Sequence, residues 1–170
     1  MSKKQLLEEL EKIYFTSQGR DNIRRDKKVA PKGVVLGKVR IRGNQQQKFG
    51  YKPVEESKAS AKDKYQKLYS VAKEVMKKHN PNFRYTSIQI NKNNRTAKHV
   101  DANNVGVSYM LGVGEYVGGD LMIYDADGKN PKQYPTRNKW IKFDGSKYPH
   151  ETTPFQGTRY TLVYYDVIKR

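Results

Sequence analysis

No cysteine occurs among the 170 residues of the chain. Disulfides and thiolate-held metals are thereby excluded, any metal site must use nitrogen and oxygen donors, and the redox compartment is left undetermined. Long apolar runs are also missing, and with a mean hydropathy of −0.97 no stretch suffices to cross a bilayer as a helix. The polar start Met1-Ser2-Lys3-Lys4, followed by an amphipathic segment, lacks the layout of a secretory signal. These absences predict an intracellular chain, cytoplasmic or nuclear, without membrane contact. Acidic residues are scarce, 17 Asp and Glu against 34 Lys and Arg, which gives a formal charge of +17. Such an excess favours polyanionic partners, nucleic acid or acidic peptide, although it also serves as a solubility surface. Neither G-x-x-x-x-G-K-[ST] nor G-x-G-x-x-G is present, so no phosphate loop of either kind is expected.

Histidine occurs only three times, and two of the three sit in informative places. His99-Val100-Asp101 is an H-x-D, and His150 follows Asp101 by forty-nine residues. On a strand, the period of two would turn His99 and Asp101 to the same side, where they could share one ion. A neighbouring strand must then supply a third ligand. His150 is the candidate, because it shortly precedes Thr158 to Tyr165, a stretch rich in β-branched and aromatic residues that reads as a strand. Two imidazoles and one carboxylate with an open opposite face form the facial triad used by non-haem Fe(II). Arg159, nine residues past His150, offers a guanidinium able to grip a carboxylate with two hydrogen bonds.

Taken together, His99-x-Asp101, Tyr116-Val117-Gly118-Gly119-Asp120-Leu121, His150-Glu151 and Gly157-x-Arg159-x-Thr161 resemble the Fe(II)/2-oxoglutarate-dependent dioxygenase superfamily. The resemblance runs from Tyr85 to Tyr165. Asn103-Asn104 and the G-x-Y-x-GG-x-L element are similar to TET/JBP-type nucleic-acid oxygenases and to some protein hydroxylases, prolyl hydroxylases among them. The anchor Arg159 departs from the Lys of collagen-type prolyl hydroxylases. What the resemblance implies is Fe(II) on His99, Asp101 and His150, with 2-oxoglutarate and O2 as cosubstrates. It further implies that Arg159, helped by Thr161, meets the far carboxylate of 2-oxoglutarate, and that Asn91 and Tyr85 line the same pocket. Asp144 and Glu151 would then hydrogen-bond the ligand histidines, or else serve as surface turn acids.

Elsewhere the pattern is structural. Lys4 to Phe15 has the spacing of a packing helix, with Leu6, Leu7, Leu10, Ile13 and Tyr14 on its apolar side. Ser17 to Lys32 is basic and aperiodic, a phosphate-touching loop or a solvated connector. Gly33 to Arg42 predicts a strand with one buried and one cationic face. The loop Gln45 to Pro53, with Lys48, Phe49, Tyr51 and Lys52, suits stacking on single-stranded nucleic acid, or an ordinary Pro/Gly turn. Ser57 is the expected N-cap of a long helix ending near Lys78, with His79 in its stop signal. Arg84 to Asn91, Val105 to Val113, Asp120 to Tyr124 and Lys139 to Phe143 read as strands. Asp125 to Asn138 connects two of them and lacks the terminal acid of a calcium loop.

Helices followed by many short strands argue α+β with a dominant antiparallel sheet, in one domain spanning 1–170. Residues 1–82 would form a helical, basic support and 83–170 the catalytic β core. The resemblance implies more: a double-stranded β-helix, or jelly roll, buttressed by the N-terminal helices. It also implies oxidation of a substrate with release of succinate and CO2. A nucleic-acid base or its methyl group, in single-stranded DNA or RNA, is the first expectation. A protein or peptide side-chain hydroxylase is the second, and a metal-free basic nucleic-acid-binding module the third.

Overall fold

The computed structural model describes residues 2–18, 31–41 and 54–170. Most of the basic connector before Lys32, the end of the expected strand at Arg42, and the loop bearing Lys48, Phe49, Tyr51 and Lys52 lie outside the described residues.

Two helices and eleven strands make up the rest: α1 (Lys3–Glu11), β1 (Lys32–Arg40), β2 (Val54–Glu56), α2 (Asp63–His79), β3 (Ser87–Lys92), β4 (Ser108–Val113), β5 (Tyr116–Gly118), β6 (Leu121–Ile123), β7 (Lys132–Tyr134), β8 (Trp140–Phe143), β9 (His150–Thr152), β10 (Phe155–Gly157) and β11 (Tyr160–Tyr165). A six-stranded sheet runs in the order β2-β1-β3-β11-β4-β8, and every pair in it is antiparallel. A three-stranded sheet, β7-β6-β9, and the pair β10-β5 complete the β structure. The segment before residue 83 thus adds two strands to the main sheet as well as helices.

Alternation along the strands sorts side chains onto two faces. Ile88, Ile90, Tyr109, Leu111, Leu162 and Tyr164 pack with Leu6 and Leu10 of α1 and with Leu68, Val71 and Met76 of α2. Burying each of the larger aliphatic side chains contributes about 1.5–3 kcal/mol, so this layer is the main source of cohesion. Tyr164 ties sheet to helix, donating its hydroxyl to the Ala72 carbonyl at 2.7 Å. The other face carries Gln89, Asn91, Thr161 and Val163, with Met110, Ile141 and Phe143, which form a small apolar cluster with Leu121 of β6. Leu121 brings the three-stranded sheet over this polar face, and the space left between the sheets is the site described below.

Both helices differ from the expected spans. The first ends at Glu11, so Tyr14, expected on the apolar stripe, is 81% exposed, while Phe15 reaches the core from beyond the helix end. Ser57 caps a single 3-10 turn, Lys58–Ala61, through Ser60. Lys62 is extended, and α2 begins at Asp63 without a side-chain cap. Local turn hydrogen bonding has captured the Ser57 cap.

Candidate active site

His99 and Asp101 do not lie on a regular strand. His99 forms one isolated antiparallel bridge with His150, the first residue of β9. Each of the two backbone N–H groups donates to the other residue's carbonyl, at 3.0 and 2.9 Å. The bridge sets the two rings with centroids 4.5 Å apart. Asp101, entering a turn, donates its backbone N–H to the Gly145 carbonyl at 2.8 Å. Its carboxylate then meets both imidazoles, Oδ1 lying 3.4 Å from Nε2 of His99 and Oδ2 3.1 Å from Nε2 of His150. One ligand atom from each residue falls within 4.8 Å of the others.

The imidazoles are oriented by carbonyls rather than carboxylates. Nδ1 of His99 donates to the Ala97 carbonyl at 2.6 Å, and Nδ1 of His150 to the Tyr148 carbonyl at 2.9 Å. A carbonyl only accepts, so the proton of a neutral ring sits on Nδ1 and the lone pair on Nε2 faces the cluster. Asp144 and Glu151, considered for this role, are engaged elsewhere. Asp144 caps its own turn through Ser146, and Glu151 accepts from the Tyr124 hydroxyl at 2.6 Å. Burial would raise the Asp101 carboxyl, but hydrogen bonds from His150 and His99, and their charge, outweigh it and hold the group well below the carboxylate range. Those hydrogen bonds place a proton between each Nε2 and the carboxylate, and a bound cation would take the place of those protons, met by the Nε2 lone pairs of two neutral rings and by an Asp101 oxygen. The donor set therefore fits a borderline divalent metal such as Fe(II).

Arg159 opens into the same cavity, of about 320 Å³. It is 2% exposed, and its Nε and Nη2 have no hydrogen-bond partner among the described residues. Nη1 makes a long contact of 3.4 Å to the Asn94 carbonyl. The guanidinium is flanked by the rings of Phe155 and Tyr116 at 5.5 and 5.8 Å. Burial pushes it down to about 10, with Tyr116 and Asp120 only partly offsetting the effect. It still carries its charge at neutral pH. An unpaired buried cation costs several kcal/mol, so this pocket fits a carboxylate-bearing ligand such as 2-oxoglutarate.

Asn91 and Thr161 stand beside it. Asn91 Nδ2 donates to Thr161 Oγ1 at 3.3 Å, while Asn91 Oδ1 accepts from Gln89 and Asn94. The amide is fixed, and the Thr161 proton is left to donate into the cavity. Tyr85 is not brought there. The strand begins at Ser87, so the alternation that would have placed Tyr85 with Gln89 and Asn91 is interrupted, and its ring packs on Phe83 and Tyr164 in the helix-side layer. His79 is likewise remote, stacked on Trp140. On the expected cationic face of β1, Lys38 is paired with Glu56 and Arg40 donates to the Asn103 carbonyl, which lies at the cavity.

Gly145, Asn93, Thr96 and Thr152 were not singled out from the sequence, whereas Gly119 belongs to the motif read there. A Cβ on Gly145 would come within 3.0 Å of Asp101 Oδ2 and 3.1 Å of His150 Cε1. On Gly119, the second glycine of the Gly118-Gly119 motif, it would meet Arg159 Nε at 2.7 Å, so the bare backbone there gives room to the guanidinium. Asn93 has φ +55 and accepts the Arg159 N–H on its side chain at 2.7 Å. Two consecutive asparagines between predicted strands are a signal for such a left-handed turn. Thr96 and Thr152 line the cavity and share a hydrogen bond of 3.0 Å.

No protein-family model matches the chain, and no curated protein matches it in sequence. Solved structures do. An oxidoreductase of the 2OG-Fe(II) oxygenase family from Burkholderia pseudomallei aligns over 95% of this chain and 76% of its own, with a TM-score of 0.57 and 13% identity. OsALKBH1 aligns over 89% of this chain and 83% of its own, with a TM-score of 0.51 and 9% identity. The prolyl hydroxylase from Trichoplax adhaerens, solved with a fragment of the hypoxia inducible factor oxygen degradation domain, aligns over 96% and 76%, with a TM-score of 0.50 and 14% identity. Among the described residues no helix is long and apolar enough to cross a membrane. The chain has the fold of 2OG-Fe(II) oxygenases, and within that fold it gathers a His-Asp-His cluster able to hold a metal ion.

Proposed function

We propose that the chain is an Fe(II)- and 2-oxoglutarate-dependent dioxygenase on a double-stranded β-helix, acting on a nucleic-acid base or its methyl group. One observation carries the reading: the cavity that holds the His99, Asp101 and His150 donors also holds a buried guanidinium with unsatisfied N–H groups. A metal site and a carboxylate site in one enclosure suit a cosubstrate that is both chelator and dicarboxylate. When bound, Fe(II), 2-oxoglutarate and O2 supply the oxidation: one oxygen atom enters a substrate C–H bond, the other the new carboxylate of succinate, and CO2 leaves.

The residues of the chain position and enclose. His99 and His150 present Nε2, held in that tautomer by the Ala97 and Tyr148 carbonyls, and Asp101 supplies the anionic ligand. Arg159 receives the far carboxylate, and Thr161, its oxygen already occupied by Asn91, donates to it. Met110, Leu121, Phe143 and Val163 form an apolar wall that excludes water from the reacting centre.

The charge of +17 supports a nucleic-acid substrate. Succinate release should rise on adding single-stranded DNA or RNA, with a mass gain of one oxygen, or loss of a methyl group, on the oligonucleotide. Stimulation by a peptide, with the mass gain on a side chain, would move the substrate to proteins. Release unaffected by either would remove the nucleic-acid assignment.

A further inference from the structure

On the helix side of the six-stranded sheet lies a second cleft, of about 740 Å³. Four segments build it: the start of α1, the last turn of α2, the β4–β5 turn and the residues leading into β8. Val113 on its floor belongs to the helix-side core, whereas Met110 and Val163 face the metal cavity, so the sheet separates the two. The volume is within the roughly 300–1,000 Å³ of pockets that enclose ligands.

The cleft has an apolar floor and a cationic rim. Leu7, Val75, Val113 and Trp140 make the floor. Lys3, Lys4, Lys78 and Arg137 surround it, against the single carboxylate of Glu115. That carboxylate is paired with Arg137 at 2.9 Å, and Lys3 donates to the Asn138 carbonyl at 3.0 Å. Lys4 and Lys78 have no hydrogen-bond or ion-pair partner among the described residues. His79 lies parallel to Trp140, centroids 4.3 Å apart and planes 9° from parallel. Partial burial, and then the nearby Lys3 charge, push this imidazole below its usual value, so at neutral pH the pair is an uncharged aromatic wall.

We infer that this cleft binds single-stranded nucleic acid, one base lying against the Trp140–His79 wall and the adjoining phosphates resting on Lys4 and Lys78. Single strands offer flat bases together with backbone charge, which matches floor and rim at once. An acidic peptide would satisfy the rim and leave the aromatic floor without a partner. Nothing in the inference requires the metal cluster, so it stands or falls separately from the oxygenase reading.

Trp140 is the single tryptophan of the chain, so its fluorescence reports on the cleft directly. Titration with oligothymidylate of about ten nucleotides should quench or shift the emission saturably, and the midpoint should weaken steeply as salt rises. Lys4→Glu with Lys78→Glu should move that midpoint at least about ten-fold. The same charge change at Lys129→Glu with Lys132→Glu, exposed positions outside both cavities, should move it less than about three-fold. No change in emission at low salt would overturn the inference. So would an equal response to polyglutamate or inorganic phosphate, or equal losses in the two double variants. His150→Ala should leave this titration unchanged, and the Lys4/Lys78 variant should bind Fe(II) normally, which separates failure here from failure of the metal site.

Discussion

His99 and His150 exchange both backbone hydrogen bonds across an isolated bridge, at 3.0 and 2.9 Å, although they are fifty-one positions apart in the chain. Backbone rather than side chain therefore holds the two imidazoles together. His150→Ala should keep the bridge and the fold while losing a ligand. Fe(II) affinity should fall by more than about a hundred-fold, beyond the loss typical of an outer partner, with little change in thermal midpoint. Calorimetric metal titration beside a thermal melt checks both.

Gly145 has an ordinary φ, so its constraint is space alone. In Gly145→Ala the added methyl would press on Asp101 Oδ2 and His150 Cε1, and metal affinity should fall about ten-fold. Binding of Mn(II), followed by electron paramagnetic resonance, is a suitable readout. Unchanged affinity would show that the pocket yields at this point.

The unpaired guanidinium of Arg159 makes a prediction with an unusual sign. Arg159→Met keeps an unbranched chain between Phe155 and Tyr116 and removes a buried charge. Without ligand, the variant should be more stable than the parent by about 1–4 kcal/mol, as measured by urea unfolding. Adding 2-oxoglutarate with metal should then raise the melting temperature of the parent and not of the variant. A destabilised apo variant would mean that the cation has a partner in solution.

Alkaline stability depends on buried tyrosines. Burial first, then the nearby Tyr69 and Glu74, raise Tyr85 to about 12, and burial also holds Tyr164 well above the ordinary tyrosine value. The folded state keeps these protons where the unfolded chain, with ordinary tyrosines, has released them. Stability contributed by the protonated forms is thus present below pH about 10 and declines above it. Arg159 acts in the opposite sense, because its folded value is lowered to about 10. Comparing Tyr85→Phe with the parent cancels that contribution. The variant should lose stability less steeply between pH 10 and 12 in chemical denaturation.

The chemistry-bearing residues were legible because histidine is rare here and the H-x-D, the distal His and the Arg follow in a recognisable order. Spacing does not encode what holds them. The carbonyls of Ala97, Tyr148 and Gly145 come from irregular backbone, and no residue type marks a carbonyl that will accept from an imidazole. The period-of-two argument reached a workable picture of His99 and Asp101 even though neither lies on a regular strand, since a bridge and a turn achieve the same convergence. The resemblance, not the spacing, put Tyr85 at the pocket; the ladder starts at Ser87, and the Tyr85 ring packs on Phe83 and Tyr164 instead. Ser57 was a sound cap for a helical turn, and only the extended Lys62 separates that turn from α2. The Trp140 cleft was invisible for a different reason: four segments distant in sequence build it, and none carries a motif.

Anaerobic titration of the apo-protein with Fe(II) and then 2-oxoglutarate, followed in the visible region, tests the central claim most directly. The site built by His99, Asp101, His150 and Arg159 should give a metal-to-cosubstrate charge-transfer band once both ligands are present. His150→Ala should abolish the band, and Arg159→Ala should demand much more 2-oxoglutarate while Fe(II) binds as before. A wild-type protein without the band, or a His150→Ala variant that retains it, would contradict the assignment of this cavity as an iron and 2-oxoglutarate site.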